Sequence, residues 1–351
     1  MPARKAQKRK DHLIVIRLSA MGDVAMTVPV LLALREQYPD IKITVLSRGF
    51  FKPLFEAIPN IEFFEADVKL KHKGISGLFK LAKEIVKLKP TAIADLHNVL
   101  RSNVLKVFFK LQRLPVVQID KGRRDKKALT RLKNKKFQQL QSTHQRYTRV
   151  FETLGYPIQL KSSHVLSKRS LTSFVNDHIG AGNQKWIGIA PFAAFKGKMY
   201  PLDLMEEVIA KLDETKQFKL ILLGGGKNEI SILNNLESKY DAAVNMAGKI
   251  SFSEELALIS NLDVMLAMDS GNAHLAANYG VPTITLWGVT HPFAGFYPFA
   301  QPMENALLAD RDKYPLIPTS VYGNKFPEGY EDVMRTIVPK EVVKLIYNKI
   351  K

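Results

Sequence analysis

Apolar residues in this chain come in short runs, and helical spacing fills the intervals between them. Residues 13–18 form a run suited to a buried strand, and residues 24–37 repeat their apolar positions as an amphipathic helix does, with Pro29 near the start. Residues 41–46 read as a β-branched strand, 78–88 as a helix, 91–96 as a strand and 116–119 as a short strand. A helix over 143–154 stops at Gly155-Tyr-Pro157. Residues 158–184 lose the pattern, and Gly180-Ala-Gly182 breaks the chain, which places a linker there.

The alternation then restarts. Strands are expected over 186–190, 218–223, 244–246, 262–267 and 283–286, with helices over 202–212, 228–238 and 253–260 and a terminal helix over 339–351. Strands separated by helices imply parallel βαβ units. The pattern predicts an α/β protein of two Rossmann-like, doubly wound domains, residues 1–170 and 171–351. The last helix is a candidate to pack back on the first domain.

Charge sharpens this division. Residues 1–170 hold 35 Lys and Arg against 13 Asp and Glu, and the remainder holds 17 against 20, so the net +19 comes from the first half. Nine of those cations crowd into residues 121–136, either a solvated loop or a contact surface for anions. Nucleic acid and anionic lipid both fit on charge alone, but aromatic-interleaved basic motifs of the nucleic-acid kind are missing. No apolar run approaches the ~18 residues that span a bilayer. The basic opening, residues 1–10, precedes an apolar stretch too short for a signal peptide. With no cysteine the chain has no disulfide or thiolate metal site, and a cytoplasmic location is expected.

Candidate chemistry gathers at strand-to-helix turns. After the strand at 262–267 come Asp269, Ser270 and Gly271, then a small-residue helix with His274 one turn in. Such a turn offers unpaired backbone N–H groups to a phosphate. The first strand ends in Arg17-Leu-Ser-Ala-Met-Gly-Asp23, where Gly22 permits a tight turn and Asp23 is either a helix cap or a base at a ligand crevice. Lys196 and Lys198 follow the strand at 186–190, and Gly224-Gly-Gly226 with Glu229 follows the strand at 218–223. Gly248 and Lys249 form a further turn that could read a base, and His97 and Asn98 end the strand at 91–96. A dinucleotide G-x-G-x-x-G, a Walker A motif and G-x-S-x-G are missing, and with no H-x-x-H, H-E-x-x-H or carboxylate cluster no tight metal site is expected.

Together these residues resemble glycosyltransferase family 9, the heptosyltransferases that build the lipopolysaccharide inner core from ADP-heptose. The matching pieces are Arg17 to Val24 with Pro29, the loop from Pro191 to Pro201, and Ala247-Gly-Lys249 before Ser253-Glu-Glu-Leu256. They continue with Asp269-Ser-Gly-Asn-Ala-His-Leu-Ala-Ala277, Gly280-Val-Pro282, Trp287-Gly288 and Thr290-His-Pro292. The resemblance implies a GT-B fold of two facing Rossmann-like domains, with acceptor on the first and nucleotide sugar on the second. It implies inverting transfer, with Asp23 as general base and Lys198 stabilising the diphosphate leaving group, Lys196 being the alternative. Donor binding is expected from Glu229, Gly248, Lys249, Asp269, Ser270, Gly271 and His274.

The resemblance also implies an anionic glycolipid acceptor, reached by peripheral contact with the inner leaflet of the cytoplasmic membrane. Gly22, Arg123, Arg124, Lys126 and Lys127 are the candidates for acceptor or membrane contact. No cofactor is expected, since the ADP-sugar is a co-substrate, and no nucleic-acid partner. The loop after Ala190 reads Pro-Phe-Ala-Ala where many members carry glycine or threonine, and Lys227 follows the glycine turn, so another nucleotide sugar or acceptor remains open. An idle nucleotide-sugar binder is less consistent with the joint presence of Asp23 and Lys198.

Overall fold

A computed structural model describes residues 11–180 and 182–350. The basic opening, Ala181 within the expected linker break, and Lys351 lie outside the described residues. The chain divides into two compact units: residues up to Lys121 with His144–His164, and Gly122–Thr143 with Val165 onward.

The first unit carries a five-stranded parallel sheet in the order β3-β2-β1-β4-β5. Its strands are β1 (His12–Ile16), β2 (Lys42–Ser47), β3 (Ile61–Glu65), β4 (Ala92–Asp95) and β5 (Val116–Gln118). The helices are α1 (Met21–Ala25), α2 (Thr27–Gln37), α3 (Lys52–Glu56), α4 (Gly74–Lys87), α5 (Leu100–Leu111) and, in chain order after α6 (Arg123–Thr130) of the other unit, α7 (Thr143–Thr153). β1 is buried at all five positions, as a central parallel strand covered on both faces must be. Leu78, Leu81 and Ile85 of α4 and Leu105 and Phe109 of α5 close one core over Ile14, Ile16 and Ile93.

The second unit holds a six-stranded sheet in the order β11-β10-β9-β6-β7-β8, its paired strands all parallel. These are β6 (Lys185–Ala190), β7 (Phe218–Leu222), β8 (Ala243–Asn245), β9 (Val264–Met268), β10 (Thr283–Trp287) and β11 (Ala306–Leu308). Its later helices are α8 (Ser173–Ile179), α9 (Leu202–Asp213), α10 (Lys227–Lys239), α11 (Phe252–Ser260), α12 (Gly271–Ala277) and α13 (Pro339–Lys349). Ser251 starts α11 with a reciprocal cap, its Oγ accepting from Glu254 N while the Glu254 carboxylate accepts from Ser251 N.

Three expectations change. The boundary falls at Val165 rather than residue 171, and α8, capped by Thr172, occupies the stretch expected to be linker. The basic segment belongs to the second unit, where it forms α6 behind Gly122 in the left-handed conformation. Counted by compact unit, the first holds 25 Lys and Arg against 12 Asp and Glu and the second 27 against 21, so both are basic. The terminal helix joins the second unit's core, with Val342 and Ile346 buried among Ile209, Leu212 and their neighbours.

Candidate functional site

In each sheet the chain winds outward to one edge and then returns to the other side of its first strand. The reversal lies between β1 and β4 in the first sheet and between β6 and β9 in the second. At such a point the flanking loops leave in opposite directions and open a crevice beyond the carboxyl ends of the strands. The turns singled out from the sequence after β1, β6 and β9 all sit at these reversals.

In the first unit Ile16 pairs with Asp95, so Arg17 and Leu96 leave the sheet side by side. The buried Arg17 guanidinium donates to the Leu96 carbonyl at 2.7 Å and forms an ion pair with the Asp23 carboxylate. Helix α1 is preceded by Ala20 and has no side-chain cap, so Asp23 is tied to Arg17 rather than serving as the cap. Its side chain stays 29% exposed, enough for a solute to reach it. Tyr147 of α7, fully buried, donates to the Asp23 carbonyl at 3.1 Å, and burial raises its phenol pKa. The end of β2 braces the same turn: Ser47 Oγ donates to the Arg17 carbonyl, and Arg48 Nε to the Leu18 carbonyl at 2.8 Å. Gly22, half-buried in α1, accepts from Met26 N at 2.9 Å.

His97 and Asn98 close this edge. Asp95 Oδ1 accepts from both of their backbone N–H groups, at 2.8 and 3.0 Å, which holds the loop after β4. Buried His97 places Nε2 3.4 Å from Ser19 Oγ and leaves Nδ1 without a partner. Loss of solvent, then the positive charges of Arg17, Lys121, Arg101 and Arg48, hold its pKa down at about 3. The imidazole is therefore neutral at any working pH. That convergence of cations from four separate segments was not legible in the sequence, because no local pattern unites them.

In the second unit Ala190 pairs with Ala267, which sets the loops after β6 and β9 next to one another. Lys198 Nζ lies 2.9 Å from Asp269 Oδ2, with the side chains only 16% and 6% exposed. Glycines make this approach possible. A Cβ at Gly288 would meet the Gly197 carbonyl at 2.5 Å, and one at Gly323 would meet Lys198 Cγ at 2.3 Å. Val289 N donates to the Gly197 carbonyl at 2.9 Å, fastening the lysine loop to the end of β10. Lys196, two residues earlier, is exposed.

Ser270, extended, precedes Gly271 at the start of α12, and its buried Oγ has no partner. Asn272 Oδ1, on α12 after β9, and Thr290 Oγ1, in the loop after the neighbouring strand β10, are likewise buried without partners. Buried polar atoms rarely stay unpaired, so each of the three has hydrogen-bonding capacity left for a water or a polar ligand. His274 is buried on the same short helix. Asn272 and Thr290 were absent from the sequence-derived site set; both stand within motifs of the family resemblance.

The remaining candidates are placed as follows. Glu229 Oε2 accepts from Gly225 N at 2.8 Å, so the carboxylate fixes the glycine turn after β7. Gly248 needs its positive φ of 74°, and a Cβ there would meet Ile230 at 2.7 Å. Lys249 Nζ pairs with Glu237 at 3.3 Å and with His178 Nε2 at 3.1 Å, which commits its charge to that ion pair. Glu255, partly buried on the first turn of α11, has its carboxyl pushed up to about 7 by loss of solvent. Among the described residues, no three His, Cys, Asp or Glu side chains are grouped to hold a metal ion.

The basic segment is less uniform than its composition implies. Arg123, Arg124 and Lys127 are exposed, but Lys126 is buried with its ammonium 3.9 Å from the centroid of the Phe296 ring. Lys135 donates to the carbonyls of Leu129, Leu316 and Pro318, and burial with nearby Arg311 lowers its pKa to about 8. Those two cations hold the segment to the second unit and do not face a membrane, which corrects the expectation for Lys126.

Two doubly wound units, each with polar side chains at its reversal, give the chain the GT-B architecture. Solved structures share the fold over nearly the whole chain. A family 9 glycosyl transferase from Veillonella parvula superposes with a TM-score of 0.73 at 19% identity, covering 97% of each chain. Escherichia coli heptosyltransferase WaaC with ADP gives 0.67 at 17% identity, covering 96% of this chain and 99% of its own. The lipopolysaccharide core heptosyltransferase OpsX of Haemophilus influenzae is 25% identical over 285 residues, 80% of either chain. The chain belongs to glycosyltransferase family 9 (heptosyltransferase), whose model matches residues 78–317.

Proposed function

We propose that this protein transfers heptose from ADP-heptose to a lipopolysaccharide inner-core acceptor, with inversion at the anomeric carbon, at the inner face of the cytoplasmic membrane. The Lys198–Asp269 pair beside the unpartnered Ser270 Oγ carries the reading, because it prepares positive charge and hydrogen-bonding capacity for a diphosphate. The family match and the heptosyltransferase relatives supply the sugar and the acceptor class.

In the proposed reaction Asp23 takes the proton of an acceptor hydroxyl as that oxygen bonds to the anomeric carbon. The bond from that carbon to the β-phosphate oxygen breaks, and ADP leaves with the electron pair. Arg17 holds the Asp23 carboxylate in one orientation, so no reorganisation is needed when the proton moves. Lys198 and the backbone N–H groups at Ser270 and Gly271 stabilise charge growing on the leaving phosphate. Asp269, already paired with Lys198, sets the ammonium position. Glu229 and the glycine turn it fixes offer hydrogen bonds to the ribose, and Gly248 lets the adjacent backbone approach the base.

Purified protein incubated with ADP-heptose and a deacylated inner-core acceptor tests this by mass spectrometry. A mass gain of one heptose on the acceptor together with free ADP is expected. Transfer from UDP- or GDP-sugars alone would overturn the donor assignment.

A further inference from the structure

The geometry points to the α4–α5 face of the first unit as the surface that lies on an anionic lipid bilayer. Both helices bury one apolar row in the core: Leu78, Leu81 and Ile85 on α4, and Leu105 and Phe109 on α5. Each carries a second apolar row that is exposed or only partly buried, with Val104 and Phe108 of α5 resting partly on the core. On α5, Leu100, Val104, Val107, Phe108 and Leu111 recur at intervals of four, seven, eight and eleven residues, a helical stripe. On α4, Ile75 and Phe79 are one turn apart. The Phe79 and Phe108 rings meet with centroids 5.0 Å apart, joining the stripes into one surface. Leu100 is 80% exposed, Leu111 72%, Ile75 71% and Val107 57%. Water-facing aliphatic residues are unremarkable singly, but a continuous patch marks an interaction surface.

Charge identifies the occupant. Residues 69–89 and 100–113 hold eleven Lys and Arg and a single acid, Glu84, itself paired with Lys71 and His72. A second copy of this chain would bring the same eleven cations against them. An anionic leaflet complements them, and an amphipathic basic face seats its apolar row at the headgroup boundary with lysines around it. Lys83 has the matching posture, its ammonium 4.3 Å from the centroid of the Phe79 ring. The stripe starts at Leu100, four residues beyond the Leu96 carbonyl that anchors Arg17, so it begins at the sheet edge that carries Asp23. This deepens the membrane part of the function proposed above and is independent of which sugar is transferred.

Flotation of the full chain with vesicles of phosphatidylglycerol and phosphatidylethanolamine, in the absence of donor, tests the assignment. Phosphatidylcholine vesicles are the neutral control. The set Ile75→Ser, Leu100→Ser, Val107→Ser, Leu111→Ser should lower partitioning into anionic vesicles at least tenfold. The set Lys80→Glu, Lys83→Glu, Lys110→Glu should do the same and carries the test if the serine set fails to fold. Arg123→Gln, Arg124→Gln, Lys127→Gln should change it less than twofold. Turnover on a deacylated acceptor should persist in the first two sets while turnover on a vesicle-borne acceptor falls. Unaltered partitioning in both α4–α5 sets, loss confined to the 123–127 set, or a wild-type dimer dissolved by the serine set would overturn the proposal. Since binding is read without donor, failure of the heptosyl assignment would leave this result standing.

Discussion

Replacing Lys198 with Gln isolates the pair on which donor binding depends. The substitution leaves Asp269, 6% exposed, with an uncompensated carboxylate. Removing one partner of a buried ion pair costs about 3–5 kcal/mol, against roughly 0–1 kcal/mol for a surface pair. For a unit of about 200 residues that is a fall of roughly 6–20 °C in melting temperature. Calorimetry with and without ADP reads both effects: ADP at about a hundred times its dissociation constant should add ~2.7 kcal/mol to the wild type and far less to the variant. The double variant Lys198→Met, Asp269→Leu removes both charges and should recover more than half of the lost stability without recovering the ADP response. That separates holding the loop from binding the phosphate. A Lys198→Gln loss below ~1 kcal/mol, or an undiminished ADP shift, would refute the reasoning.

Two further outcomes follow from the same geometry. Burial keeps His97 neutral in the folded first unit, with a pKa of about 3 against 6.5 for the free side chain, so stability from this group is full above pH 6.5 and is lost as pH falls toward 3; His97→Gln should flatten the pH dependence of denaturant midpoints in that window by up to about 1.4 kcal/mol per pH unit. Gly323→Ala meets both a φ of +79° and Lys198 Cγ at 2.3 Å, so it should cost at least ~1 kcal/mol and weaken the ADP-induced thermal shift; an unchanged shift would show that the glycine does not position the lysine.

The central strands were legible because parallel strands covered on both faces read as continuous apolar runs: β1 and β9 are buried at every position. Strand β3 was not, since its residues are partly or fully exposed at the sheet's edge. Helix α6 hid inside a run of cations, and α8 inside a stretch with little apolar pattern. Which unit a loop joins was the largest gap. Lys135 donates to carbonyls 181 and 183 positions away, and nothing local to residues 121–136 encodes that choice. Individual site turns could be read because a strand that ends in Gly, Ser or Asp and passes straight into a helix offers backbone N–H groups to an anion. The partnerships within them could not: the Arg17–Asp23 pair spans a turn whose path the spacing leaves undetermined, and three of the four cations around His97, Arg17, Arg48 and Lys121, come from distant segments.

The sharpest measurement is a single-turnover assay of Asp23→Asn at saturating ADP-heptose, with donor affinity measured in parallel. The variant should bind ADP-heptose within about twofold of the wild type and transfer sugar some 10²–10⁴-fold more slowly, the range for loss of a positioned general base. Transfer at the wild-type rate would contradict the role given to the carboxylate that Arg17 holds.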